Sequence, residues 1–190
     1  WYTLVDSMQL QNDGRYLKHG GLPVVGVFGF FPERFSPATA NAIIDIFKTG
    51  PVQYRAFVAG AGAWYWRTAV ETTPAWTSMM YRMDSWQPWN CGNYLGTFPN
   101  YNAKSDYWAA DKADFDSRGI IYVPELYPGA TSANRDQQPF NTPDIPRRGG
   151  TFLWQQFVDA YNIGAQSTFL GMFDELDEAS PDAKTLALER

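Results

Sequence analysis

The chain has 190 residues, 45% hydrophobic and 18% charged, with 20 acidic against 15 basic side chains and a formal net charge of −5. That balance excludes a disordered chain, and the absence of any Lys/Arg run excludes a nucleic-acid footprint, so no nucleic-acid partner is expected. A lone cysteine, Cys91, and a lone histidine, His19, exclude an internal disulfide, a Cys-type zinc site and a His-rich metal centre.

Thr3 to Leu10 has the spacing of a short helix. Leu22 to Phe31 (LPVVGVFGFF) is an apolar run between Gly20-Gly21 and Pro32, the pattern of a strand buried on both faces. Ser36-Pro37 then supplies an N-cap with proline at the first helical position. Ala42, Ile43, Ile46 and Phe47 trace a helix face, and Gly50-Pro51 ends it. Tyr54 to Gly62 reads as the second long strand, Ala75 to Met83 as a helix and Asp84 to Asn90 as a strand. Ala103 to Arg118 is predicted helical, with Trp108, Ala109, Ala113 and Phe115 inward and Gly119 as its cap. Ile120 to Tyr127 (IIYVPELY) is a strand whose Pro124 demands an unpaired or bulged position. After a loop rich in Pro, Asn and Gln, Thr151 to Asn162 is a helix ended by Gly164, and Ser167 to Phe173 is the last strand.

This alternation predicts an α/β fold with parallel strands and right-handed crossovers. Two architectures compete, an open doubly wound sheet and a (β/α)8 barrel. The doubly wound fold calls for a phosphate loop after its first strand. The nearest sequence, Gly60-Ala61-Gly62-Ala63-Trp64-Tyr65, puts Tyr at the third glycine position and runs into aromatics instead of a helix. It reads better as a place where backbones approach closely. About five strands fit in 190 residues, short of the roughly 200 needed by a full (β/α)8 barrel. The chain is therefore expected to be one partial barrel domain, residues 1–190, with about three further strands upstream. It opens on Trp1-Tyr2 without a signal-peptide pattern, and is read as a piece of a longer protein.

In parallel α/β folds, chemistry gathers where strands end. Those ends carry Phe31-Pro32-Glu33-Arg34, Trp64-Tyr65-Trp66-Arg67, Trp86-Gln87-Pro88-Trp89-Asn90, Glu125-Leu126-Tyr127-Pro128-Gly129 and Asp174-Glu175-Leu176-Asp177-Glu178. With 17% aromatic residues and eight Trp in the chain, Trp64, Trp66, Trp86 and Trp89 form either core or a wall that stacks sugar rings. The acidic pentad has three readings: a solvated turn, a hard-cation site, or paired carboxylates. Glu175 and Glu178 stand three apart; on a helical turn their Cβ atoms come within about 5–6 Å. Crowding of that kind raises one pKa and leaves the other low, which provides an acid and a base at one pH. Retaining glycoside hydrolysis uses two carboxyls about 5–5.5 Å apart. His19 reads as a surface loop residue and Cys91 as a partly buried residue without a nucleophilic role.

Read together, Tyr16-Leu17, Gly21-Leu22-Pro23-Val24-Val25-Gly26-Val27-Phe28-Gly29, Trp66-Arg67, Trp86-Gln87-Pro88-Trp89-Asn90-Cys91-Gly92, Tyr127-Pro128-Gly129, Ile145-Pro146-Arg147, Gly150 with Trp154-Gln155, and Met172 to Glu178 follow one another over nearly the whole chain. In this order they resemble the C-terminal half of glycoside hydrolase family 99, the endo-α-mannosidase-like (β/α)8 enzymes. The sequence departs from that pattern at Ala179-Ser180, where Gly-Thr is usual, and at Ala130, where an aromatic is common. The resemblance implies a retaining glycosidase for α-mannoside-like glycans that needs no cofactor and no metal. Glu175 would act as base on the sugar 2-hydroxyl and Glu178 as acid on the leaving oxygen, through a 1,2-anhydro sugar. Trp66, Arg67, Trp89 and Tyr127 would line the substrate rim.

The expected partners are a glycan substrate and whatever covers the open barrel edge, either the N-terminal half of the same barrel or another chain. No membrane span is expected. The resemblance places the protein in the extracellular space or the secretory pathway. The alternative function is a catalytically inactive glycan-binding or structural component of an extracellular assembly.

Overall fold

The computed structural model describes residues 1–31, 33–66, 74–131 and 145–171. The chain divides into two compact units, Trp1–Pro88 with Asp114–Tyr122, and Trp89–Ala113 with Val123–Arg190. The fold is mixed α/β, and among the described residues its strands form three sheets.

The first unit is built on β1 (Lys18–His19), β2 (Leu22–Phe30), β3 (Phe57–Ala63), β4 (Ser85–Trp89, whose last residue falls in the second unit) and β7 (Ile121–Tyr122), joined in the order β1-β2-β3-β4-β7. β2 with β3 and β4 with β7 pair in parallel, as the alternating pattern requires, while β1 folds back antiparallel on β2. That hairpin is absent from the strand pattern read along the sequence. Its two-residue turn is Gly20-Gly21, both at positive φ (57° and 83°), which is the backbone a tight hairpin needs. His19 is exposed on it, with its ring 4.5 Å from that of Phe57.

The first unit carries the helices α1 (Tyr2–Asp6), α2 (Pro37–Lys48) and α3 (Pro74–Met80), and α2 begins at its Ser36-Pro37 signal. Ser36 caps α2 as its side chain accepts from the Thr39 amide at 3.1 Å, and Ala40, Ile44 and Phe47 form the buried face. Asp84 ties the end of α2 to the sheet: one carboxylate oxygen meets Lys48 Nζ at 2.6 Å, and the other accepts from the Val58 amide at 2.8 Å. Gly60 and Gly62 serve close packing, as their spacing suggested. A Cβ on Gly62 would lie 2.7 Å from the Phe30 carbonyl oxygen and 2.9 Å from the Trp86 ring.

α4 (Trp108–Asp116) is shorter than its sequence window. Asn102–Ala103 form β6 instead, pairing antiparallel with β5 (Tyr94–Leu95). The buried face of α4 is Trp108, Asp111 and Phe115, at i, i+3 and i+7; Ala109 and Ala113, expected inward, face outward. The predicted strand Ile120–Tyr127 is broken as Pro124 requires. Ile121–Tyr122 pair with β4, and Glu125–Leu126 form β8, which pairs in parallel with β9 (Phe169–Leu170).

α5 spans Thr151–Asn162, as its apolar spacing and Gly164 predict. Phe152, Gln156 and Ala160 face the interior. Tyr127, Phe152, Ile145 and Ala103 form the core of the second unit. No helix among the described residues is long and apolar enough to cross a membrane.

Candidate functional site

Where β4, β8 and β9 end, the second unit buries a carboxyl group. Glu125, the first residue of β8, is fully buried. Its Oε2 accepts from the backbone amides of Asn90 and Cys91, the latter at 3.3 Å, and both residues directly follow β4. Its Oε1 is buried and has no hydrogen-bond partner among the described residues. That oxygen lies beside Gly171, the residue after β9, where a Cβ would come within 2.6 Å of it. Gly171 is held in place by its own amide, which donates to the Leu126 carbonyl at 2.9 Å.

Burial raises the pKa of Glu125 from an ordinary 4.5 to about 7, against the opposing pull of the Asn90 and Cys91 amides. Desolvation wins because two neutral amide donors replace only part of the hydration an anion loses. Around neutral pH the folded chain therefore keeps a proton on this carboxyl that an exposed glutamate would have released.

A polar network surrounds it. Asn90 is fully buried; its Oδ1 accepts from the Tyr107 hydroxyl at 3.0 Å, while its Nδ2 has no partner among the described residues. Tyr127 is also fully buried and donates its hydroxyl to the Asn93 carbonyl at 2.5 Å. Burial pushes the Tyr107 and Tyr127 phenols well above the usual range, so both act as neutral donors. Gln156, from α5, clamps the strand after Glu125. Its Oε1 accepts from the Tyr127 amide at 3.0 Å and its Nε2 donates to the Tyr127 carbonyl at 2.8 Å. Gln156→Leu would leave both backbone groups buried and unpaired. A loss of about 2–4 kcal/mol in urea unfolding is expected, whereas a solvated glutamine would cost almost nothing.

The residues expected at the site fall in different places. Glu175, Glu178 and Arg67 lie outside the described residues. Trp89 is half-buried at the end of β4, a strand end as expected. Tyr127 sits beside the buried carboxyl with its ring 5.1 Å from that of Phe152; it is a core residue instead of an open rim. Trp66 differs most. Its ring is fully buried, 4.6 Å from Phe115 and 5.9 Å from Tyr81, so neither face is open to a sugar. The reason is packing: Phe115, on the inward face of α4, and Tyr81, after α3, close over an indole that the sequence left free to point either way. Cys91 is partly buried, as expected.

Glu125 itself stood among the strand-end residues but not among the candidates, because its partners lie 34 and 35 positions away. The available signal was its place after Pro124, in a strand otherwise apolar or aromatic. Among the described residues no group of three or more His, Cys, Asp or Glu side chains is arranged to hold a metal ion.

The architecture has solved counterparts. The chain is similar to the GH99 endo-α-mannosidase from Bacteroides thetaiotaomicron, with a TM-score of 0.65 at 16% identity over 94% of this chain and 49% of that one. The same mannosidase in complex with bis-tris propane gives a TM-score of 0.67 at 15% identity, over 94% and 51%. A glycoside hydrolase-like protein gives 0.54 at 13% identity, over 92% and 50%. The chain thus spans about half the length of the structures it matches, and at these identities the likeness is one of fold. No family model matches the chain, and no curated protein matches it by sequence.

Proposed function

We propose that the chain is the C-terminal half of a (β/α)8 glycoside hydrolase domain acting on α-mannoside-like glycans, with Glu175 and Glu178 as its catalytic pair. One observation carries most of this reading. β9 lies parallel to β8 and ends at Leu170; the next residue, Gly171, lies against the buried Glu125, three residues before Asp174. The acidic segment therefore follows directly from a strand end, where α/β enzymes place their chemistry. The mannosidase fold of the solved counterparts supports the substrate class.

In this reading Glu175 takes a proton from the sugar 2-hydroxyl and Glu178 gives one to the leaving oxygen. A helical turn from Glu175 to Glu178 would crowd the two carboxyls, and a pair so crowded cannot both ionise cheaply, which would keep a proton on the acid. Arg67 and Trp89 contribute to the sugar rim, and the glycan is met in the extracellular space or the secretory pathway. The N-terminal half of the barrel completes the substrate cleft.

The test uses the full-length protein with α-mannan oligosaccharides and activated aryl α-mannosides. Glu178→Gln should lower turnover of the oligosaccharide by about 10²–10⁴-fold while partly sparing the aryl substrate. Glu175→Gln should damage both alike, since activation of the 2-hydroxyl is needed whatever group departs. Both variants matching wild type would refute the pair. Oligosaccharide binding without cleavage by wild type would favour a non-catalytic glycan-binding component.

A further inference from the structure

The connection from β4 to α4 leaves the strand end at Asn90 and folds into the hairpin of β5 and β6, which carries Tyr94, Phe98 and Tyr101. The three rings form one cluster. Tyr94 lies 4.2 Å from Tyr101, and Phe98 lies 6.1 Å from the same ring. Tyr101 packs against the core made by Ala103, Tyr127, Ile145 and Phe152, whereas Tyr94 is 45% and Phe98 61% exposed. The hairpin is firmly rooted. The Asn93 carbonyl accepts from the Tyr127 hydroxyl at 2.5 Å and from the Lys104 amide at 3.0 Å, and the Asn93 amide donates to the Asn90 carbonyl at 3.0 Å.

We propose that this hairpin is a glycan-binding arm, on which the exposed rings of Tyr94 and Phe98 stack the flat face of a neutral pyranose. The sugar class rests on the function proposed above; the choice of the hairpin as a ligand surface does not.

Charge, area and place all favour this occupant. From Cys91 to Ala103 the chain carries no acidic or basic side chain. Two cations border it and both are engaged, Lys104 with Asp106 and Arg148 with Asn102, each at 3.2 Å. A polyanion or an anionic lipid surface therefore meets no positive charge within the arm. Neutral hydroxyls, by contrast, match the exposed Thr97 and Asn100, which stand next to Phe98 and Tyr101 in the chain. The exposed parts of Tyr94, Leu95 and Phe98 amount to roughly 300 Å² of apolar surface, well below the ~800 Å² per partner of a stable protein interface. A ligand of one or two sugar rings needs no more. The arm also springs from the carboxyl end of a strand paired in parallel, the end where α/β folds bind their ligands. The exposed rings of α5, Trp154 and Tyr161, lie on the body of a helix instead.

The experiment measures binding of α-mannan oligosaccharides to the full-length protein by titration calorimetry, with a neutral β-glucan oligosaccharide as comparison. Phe98→Ala and Tyr94→Leu should each weaken binding about 3–10-fold, and Tyr94→Phe, which keeps the ring, should bind as wild type does. Tyr94→Leu retains apolar bulk against Tyr101, so its urea midpoint should stay near that of wild type. Tyr161→Ala, on α5, should leave affinity unchanged. In wild-type NMR spectra the sugar should shift the ring protons of Tyr94 and Phe98 and spare those of Tyr161. Undiminished affinity in both hairpin variants overturns the proposal, as does saturation without a response at those two rings, or binding of neither oligosaccharide. Concentration-dependent association of wild type that Phe98→Ala abolishes overturns it in favour of a second copy of the chain. Mannan cleavage with affinity unchanged in the variants removes the arm and leaves the proposed function standing. Binding that needs the two rings but is never followed by cleavage refutes the hydrolase and leaves the arm intact.

Discussion

Glu125→Gln should resist heat and urea better than wild type at pH 8, and should lose that advantage by pH 5. The folded chain raises the pKa of this carboxyl from 4.5 to about 7 because burial strips water from the anion. Between those two values the folded protein holds a proton that the unfolded chain has released. Stability from Glu125 is then complete below about pH 4.5 and is lost as the pH rises through about 7. A gap of that size corresponds to roughly 3 kcal/mol between the ends of the window. Glutamine does not titrate and retains an oxygen for the Asn90 and Cys91 amides, so its stability curve should be flat where the wild-type curve falls. Unfolding midpoints of both proteins at several pH values between 4 and 9 give the answer. Parallel curves would mean that the site is wetter than its burial implies.

The ease with which the sequence reveals this fold depends on how local each determinant is. α2 and α5 are legible because Ser36-Pro37 and Gly164 act within one turn of the helix they bound. The break in the strand at Pro124 follows from one missing amide and is as local as a signal can be. The Gly20-Gly21 hairpin has an equally local turn signal but stays hidden in the strand pattern, because β1 is only two residues long. The face of α4 is harder. A buried Asp111 takes the place that hydrophobic spacing assigns to alanine, and only tertiary partners can hold a carboxyl there.

The site shows the same division. An acidic pentad is conspicuous in any sequence, whereas one glutamate in IIYVPELY is not. What distinguishes Glu125 is the convergence of Asn90, Cys91 and Gly171 on its two oxygens, a property of strand order that adjacent residues cannot encode. The buried partners of Gln156 are hidden for the same reason: its neighbour Gln155, identical in type, reaches only Asp159 on the helix surface.

Trp66→Ala should be among the most destabilising single changes in the first unit. The indole is fully buried, tilted against Phe115 at 4.6 Å and edge-on to Tyr81 at 5.9 Å. Those rings have further obligations. Phe115 stacks on Tyr122 at 5.9 Å, while Tyr81 carries the Arg118 guanidinium 3.6 Å above its ring and donates its hydroxyl to Asp114 at 2.7 Å. Removing the indole would leave a void that such a tethered cluster can only partly close, and a loss of about 3–5 kcal/mol is expected. Trp66→Phe keeps an aromatic body in the same place and should cost clearly less. A tryptophan that stacked a sugar on an open rim would behave in the opposite way, sparing stability and reducing glycan affinity. Urea unfolding and mannoside titration of the two variants, made in parallel, separate these outcomes. A small change in the unfolding midpoint together with lost binding would restore Trp66 to the rim.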